Sequence, residues 1–503
     1  MDQPLLGSGG AARLIDVQKI ETLPNANEKP QIEGGGWKDR GFAIAFWIHV
    51  LCVVIIGLVL GIPAIRYDTN ETFDDSTRKP LDFDASLFLR IFMLASGVGG
   101  FASVFFFFVL QRCAGQLIKC SLYTGLFMQI VFAAVMFKFA WGFGIFMLLF
   151  IFLTIWYIYY VRNRIPFAEA HIKTGCAALA RHPSVYFVAL GMLIVQCLWV
   201  FFWSMLALGF EHAINDYPRN STLYDNVSKE GSKSGGGIFV FVLLVSLYWG
   251  SITFKTVVHF VSACVVGDWW FTNSDHIVRS SVNRAFTTNF GSLAFGSLIV
   301  AVIKSLRTIA QNAQNNAQRQ GNIVVTLITC CAACILQILE RVIGFLNEWA
   351  FIFCALTGAS FIQASKDVVE LFKRRGWTLI INDDLTGNAL AITSLAVGFI
   401  SAAIGGITVY TVMPHNPSRI EIAGIGAFFC FLIGLAMSTI MTSILTSCVR
   451  TVFVCFALNP SALASTHPEH LSELVTAWYR FHPQEFAQSG YAYHLPKPPS
   501  TEV

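Results

Sequence analysis

The chain has 503 residues, 55% of them hydrophobic and only 13% charged, with a net charge of +4 and a mean hydropathy of +0.61. Soluble domains carry about 25% charged residues, so this composition argues against a water-soluble globule and requires lipid around most of the molecule. The mild positive balance comes without a long basic block or interleaved aromatic and basic residues, which argues against nucleic acid as a partner.

Met1 to Gly36 is polar, Gly-rich and poor in aromatics, the composition of a disordered cytosolic arm. No apolar stretch follows a basic start, so no cleaved signal peptide is expected, and Asp2 excludes N-myristoylation. Asp2 to Leu6 (D-Q-P-L-L) matches an acidic dileucine sorting signal, a pattern that chance also produces. Gly41 to Ile65 is the first run long enough to cross ~30 Å of hydrocarbon, with Trp37, Lys38 and Arg40 suited to its cytoplasmic end. Arg66 to Ser86 is expected to be an outer loop, with six carboxylates and the sequon at Asn70.

Leu87 to Leu110, Leu117 to Phe137 and Phe139 to Val161 are expected as the next three spans. Arg162 to Pro183, holding Arg162, Arg164, Lys173 and Arg181, is expected to be a cytoplasmic loop. Val185 to Phe210 and Gly237 to Val266 are the fifth and sixth spans. Between them Glu211 to Gly236 carries sequons at Asn220 and Asn226. Glycans are added on the lumenal face, and crossing parity puts all three sequons on that side.

Phe286 to Leu306 is expected as the seventh span, followed by a Gln/Asn-rich linker, Arg307 to Asn322. Its small residues Gly291, Ser292, Ala294, Gly296, Ser297 and Ala301 would let a neighbouring backbone approach closely. Ile323 to Phe361 is too long for one simple span and is interrupted by Glu340 and Arg341. Two crossings would put the basic segment Lys366 to Arg375 outside, so the pattern predicts one crossing led by an in-plane or re-entrant piece. Ala389 to Met413 and Ile420 to Cys448 complete about ten spans, joined by a turn with Pro414, His415 and Pro417. The remainder is expected to be a cytosolic tail ending in Thr501-Glu502-Val503, which fits the pattern held by PDZ grooves and is short enough to arise by chance.

No Walker loop, G-x-S-x-G elbow or paired histidine motif is present, and no catalytic residue, metal site or cofactor is expected. Cys331 and Cys334 have C-x-x-C spacing but lack a second pair. The 13 cysteines imply no extracellular disulfide framework. His49, His212 and His259 are isolated and read as packing residues. For a solute path, Trp199 and Trp203 lie four apart on one face of the fifth span, with Tyr248 and Trp249 on the sixth. These four rings could wall a cation cage, or form a packing seam. Ionisable groups cost ~2.5 to 3.5 kcal/mol at a span centre. That singles out Lys255, Lys304, Arg307, Glu340, Arg341 and Glu348, with Glu348 free to hold a cation or to pair with Lys304 or another base.

Several stretches carry a family resemblance. Trp269 to Phe271 (W-W-F), Arg284 and G-S-L-A-F-G-S-L-I from Gly291 resemble the signature region of the choline transporter-like family, the solute carrier 44 group. Trp37, Asp39 and Phe42 (W-x-D-x-x-F) are similar to its first-helix start, and Gly358 to Asp367 keeps its Gly, Phe, Lys and Asp. The chain departs from the family pattern at Glu348, in a usually basic place beside Asn347, at Trp349 and Phe351, and at Asn459, where an acid is expected. The resemblance implies transport of choline or a related amino alcohol.

The expectation is an all-α polytopic membrane protein: an arm over 1–36, a transmembrane domain over 37–456 and a tail over 457–503, with both ends cytoplasmic. It is expected in the plasma membrane, with endosomal or vacuolar membranes as alternatives. Trp199, Trp203, Tyr248, Trp249, Asn347 and Glu348 are the candidate substrate contacts. The rival readings are a non-transporting trafficking or scaffold protein and a carrier of another solute.

Overall fold

The computed structural model describes residues 36–74, 141–162, 165–215, 236–272, 274, 276–375, 385–412 and 419–481, with scattered positions between 101 and 134, Pro483 and Phe486. The expected spans at Leu87 to Leu110 and much of Leu117 to Phe137 therefore lie outside the described residues, as do Asn220, Asn226, Asp2 to Leu6 and the last three residues. Every described element is helical. In chain order these are α1 (Arg40–Asp74), α2 (Trp141–Val161), α3 (Ile165–Arg181), α4 (Ser184–Asn215), α5 (Gly236–Phe271), α6 (Ile277–Phe286) and α7 (Phe290–Arg319). They continue with α8 (Ile323–Thr357), α9 (Phe361–Arg375), α10 (Leu385–Val412), α11 (Arg419–Leu458), α12 (Pro460–Thr466) and α13 (Pro468–Phe481).

Six described helices are long and apolar enough to cross a membrane, and the bent pair at Leu458 raises the number to seven. This is a multi-pass membrane protein. Helix α5 lies at its centre, packed by α1, α3, α4, α6, α7, α8, α11 and α12. Close approach between membrane helices depends on small residues, and α1 meets α4 through Gly57 and Gly61 in a G-x-x-x-G spacing. A Cβ at Gly57 would lie 2.7 Å from the Phe202 carbonyl oxygen, and one at Gly61 2.7 Å from that of Met205.

Four local expectations change. α1 continues past Ile65 to Asp74, so Asn70 lies on a helical extension and not in a loop. The stretch Arg307 to Arg319, expected as linker, is the second half of α7. Its seam with α8 is a turn at Gly321, φ +70°, where glycine carries no Cβ penalty. The α8 segment is one unbroken helix, capped by the Asn322 side chain and closed by Gly358 at φ 74°. It holds a single crossing, but the leading in-plane piece is part of the same rod, about 50 Å long at 1.5 Å per residue.

Arg162 to Pro183 is also no loop: α3 is an amphipathic helix that buries Phe167, Ile172, Ala178 and Leu179. It meets the tail, which is helical through Phe481. Trp478 Nε1 donates to His171 Nε2 at 3.2 Å, and His171 Nδ1 lies 2.8 Å from the Phe167 carbonyl. Since an indole can only donate, His171 is neutral with its proton on Nδ1. Burial also pushes the neighbouring Cys176 thiol up to about 12, so it stays protonated.

Candidate functional site

A polar face runs along the central helix. Tyr248, Ser251, Lys255 and His259 follow at spacings of three and four, which puts them on one side of α5. Lys255 is exposed at the middle of this apolar span although its helix is surrounded by others. Across from it on α7, Lys304 Nζ sits 4.6 Å from the Tyr248 ring centroid, and the Tyr248 hydroxyl is 3.1 Å from Thr308 Oγ1.

Helix α8 supplies the opposite wall. Glu340, Gly344 and Glu348 are four apart and share a face. Arg307 of α7 pairs with Glu340 at 2.6 Å, and Arg450 of α11 pairs with Glu348. His259 Nε2 lies 3.0 Å from the Glu348 carbonyl oxygen, and Lys255, Glu348 and Arg450 all act electrostatically on His259. Ser447 donates to the His259 carbonyl at 2.9 Å. Between the two ion pairs, a Cβ added at Gly344 would meet no atom within 4 Å. We read the space beside Gly344, with an ion pair one turn to either side, as a charged cleft among α5, α7, α8 and α11. Its Glu348 side chain is 37% exposed and that of Arg450 17%, so the carboxylate remains reachable.

Of the six expected substrate contacts, Tyr248 and Glu348 stand on this cleft. Trp199 and Trp203 run along the backbone of α5, donating to the Leu247 and Leu243 carbonyls at 3.2 and 3.3 Å. Trp249 points to α7, donating to the Ala294 carbonyl at 2.9 Å. Trp199 and Trp249 gather on His49, at centroid distances of 5.3 and 5.0 Å. Asn347 donates to the Gly296 carbonyl at 2.7 Å and is buried. Each of these N–H groups meets a neighbouring helix's carbonyl or one of its own bundle, the pairing a polar donor needs where water is absent.

A latch ties the start of α1 to the starts of α7 and α9. Asp39, at φ 49°, accepts from Ser292 Oγ at 2.6 Å and from the Phe361 amide at 3.1 Å. Lys38 donates its amide to Thr288 at 2.8 Å. Gly291 is required there, because a Cβ would fall 2.3 Å from the Asp39 carbonyl oxygen. Arg284 donates to the Ala355 carbonyl at 3.0 Å and Asn289 to that of Ala359 at 3.4 Å.

Thus the W-x-D-x-x-F start, the small-residue helix and the segment around Gly358 form one assembly. A profile described as plasma-membrane choline transporter matches residues 145–461, more than half of the chain. The chain belongs to the choline transporter-like family. Protein PNS1 of Gibberella zeae is 30% identical over 322 residues, covering 63% of this chain and 59% of that protein. Protein PNS1 of Neurospora crassa is 28% identical over 344 residues, 67% of this chain and 61% of its own length. A CTL-like protein of Dictyostelium discoideum is 26% identical over 458 residues, 88% of this chain and 75% of that protein. The chain therefore matches about three-fifths of the length of these two fungal relatives.

The departures of this choline transporter-like chain have local explanations. Asn459 caps α12 by accepting from Ser461 at 3.0 Å, a task that Asn and Asp do about equally well. Its carbonyl accepts from Trp270 Nε1 at 2.9 Å, tying the W-W-F element to the tail. Phe351 packs on Phe361 at 5.5 Å beside Gly296. Glu348, in its usually basic place, has Arg450 as its base, where the sequence offered Lys304 or another. Arg450 and Gly344 are the cleft residues that sequence reasoning missed. The signal for Arg450 was a lone base deep in an otherwise apolar run, V-R-T-V-F-V-C-F from Val449.

Proposed function

We propose that this choline transporter-like protein carries a small organic cation, choline or a related amino alcohol such as ethanolamine, across a membrane through the cleft at Gly344. The observation that carries the reading is a reachable carboxylate, Glu348, in an apolar span beside an open gap. A quaternary ammonium has no N–H to donate, so charge and ring faces must hold it. Glu348 supplies the charge in competition with Arg450, and Tyr248, about 16 Å along α5 from the His259 that touches Glu348, offers a half-buried ring further along the path. A monovalent cation gains ~2.3 kcal/mol per 100 mV of membrane potential, enough to drive facilitated entry without a coupling ion. Exchange for a proton is the second form of this reading.

In this reading the chain crosses about ten times, with the Asp39 latch, α3, α9 and the tail on the cytoplasmic face of the plasma membrane and glycans on the other. Labelled choline uptake into liposomes holding the purified chain tests it. Saturable flux, stimulated by an inside-negative potential, is expected. Absence of saturable flux from folded, correctly oriented protein sinks the transporter reading in favour of a scaffold role. Competition by a different solute instead would reassign the substrate.

A further inference from the structure

The cleft holds more base than acid. Lys255, Lys304, Arg307 and Arg450 line it, against Glu340 and Glu348. Both carboxylates are taken by arginines. Among the described residues Lys255 has no carboxylate partner, and the contact of Lys304 is the Tyr248 ring. The runs expected as spans at 87–110 and 117–137 contain no Asp or Glu. The apolar runs 41–65, 185–210 and 389–413 contain none either, and 420–448 has only Glu421, at its first turn. An uncompensated ammonium in a membrane span is retained where it faces a water-filled cavity or a counter-ion. The open space at Gly344 and the accessibility of Lys255 provide such a place. A cation entering alone would meet two unneutralised lysines.

We propose that the cleft contains an anion-binding subsite at Lys255, with Lys304 two turns further along, so that the organic cation at Glu348 travels with an anionic group. That group is either the acid end of a zwitterionic solute, such as a phosphorylated amino alcohol, or a small inorganic anion bound alongside. The inference rests on the cleft being the solute path. Lys255 takes the anion as a point charge with three N–H donors, and Lys304 is held by the Tyr248 face with no carboxylate partner among the described residues.

The test uses the purified full-length chain, melted in detergent and assayed for labelled choline uptake in liposomes. Both measurements are made in gluconate, in chloride, in inorganic phosphate and with added phosphocholine. The expected result is that chloride, phosphate or phosphocholine raises the melting temperature over gluconate. Lys255→Gln should increase the concentration giving half that rise about tenfold, and Lys255→Arg should keep it within about threefold. Lys304→Gln serves as a second variant should Lys255→Gln not fold. Choline flux that requires chloride or phosphate identifies a separate ion. Flux of labelled phosphocholine, with chloride and phosphate inert, identifies a zwitterion. Identical melting and uptake in all four conditions, or an anion response untouched by both lysine variants, overturns the subsite. A Lys255-dependent melting shift without choline flux keeps the subsite and removes the choline reading instead.

Discussion

At the scale of the residue, the tryptophans and the acid show how one sequence signal takes two fates. An indole N–H in a membrane needs an acceptor, and the acceptors of Trp199, Trp203 and Trp249 are main-chain carbonyls, so these N–H groups tie helices together. Helical spacing alone does not reveal which way such a donor is spent. Glu348 has an ionic partner 102 positions away that spacing along one helix could not disclose. Removing one member of a partly buried pair strands the other. Glu348→Gln and Arg450→Gln are therefore each expected to cost about 1 to 3 kcal/mol, with the double variant more stable than the sum of the two losses predicts. Denaturation of all four proteins in detergent checks this. If Glu348 also meets the solute, half-saturation for choline rises about tenfold in Glu348→Gln. If apparent affinity is unchanged and only the protein yield falls, its role is structural.

At the scale of the element, apolar periodicity located the spans well and their ends poorly. Gln and Asn residues of Arg307 to Arg319 favour a loop by polarity, but the helix of α7 continues because α8 packs along it. α3 reads as a loop because its bases dominate a short window, whereas its apolar face is covered by α11 and α13. Gly291→Ala would press a methyl group into the Asp39 carbonyl, and overpacking of this kind costs about 1 to 3 kcal/mol. Gly344→Ala has open space instead, and should leave the melting temperature unchanged or raise it, since Ala is favoured over Gly in a helix by about 0.8 to 1 kcal/mol. Paired thermal melts separate the two positions.

The docked tail adds a pH dependence. His467 stacks on Trp269 at 4.1 Å. Burial holds it below its ordinary value of 6.5, with Glu469 opposing that shift and His470 adding to it. The folded tail thus binds fewer protons than the unfolded one, so its docking is strongest above pH 6.5 and weakens as pH falls toward the folded value. Amide protection over 460–481, corrected for the intrinsic pH dependence of exchange, should be weaker at about pH 5.5 than at about pH 7.5, and His467→Gln should remove the difference. Equal protection at both values in the unaltered protein would refute the coupling.

At the scale of the whole molecule, the threading makes one further prediction. If the Asn220 and Asn226 loop faces the lumen, a membrane-expressed chain should carry glycans that disappear in Asn220→Gln and Asn226→Gln. A glycan placed near Lys373 by an engineered sequon should stay unmodified. Modification there would reverse the orientation. The sequence by itself determined that this chain is helical and multi-pass, because a run of apolar residues long enough to cross lipid is a local property needing no partner. It also marked the family, through short motifs at Asp39, Gly291 and Gly358 whose spacing survives in the linear order. Only the tertiary structure showed that those motifs form one latch, that α5 is the central helix, and that Lys255, Glu348 and Arg450 gather around His259. The physical reason is that a helix fixes which residues share a face, whereas which face meets which neighbour depends on packing between segments far apart in the chain.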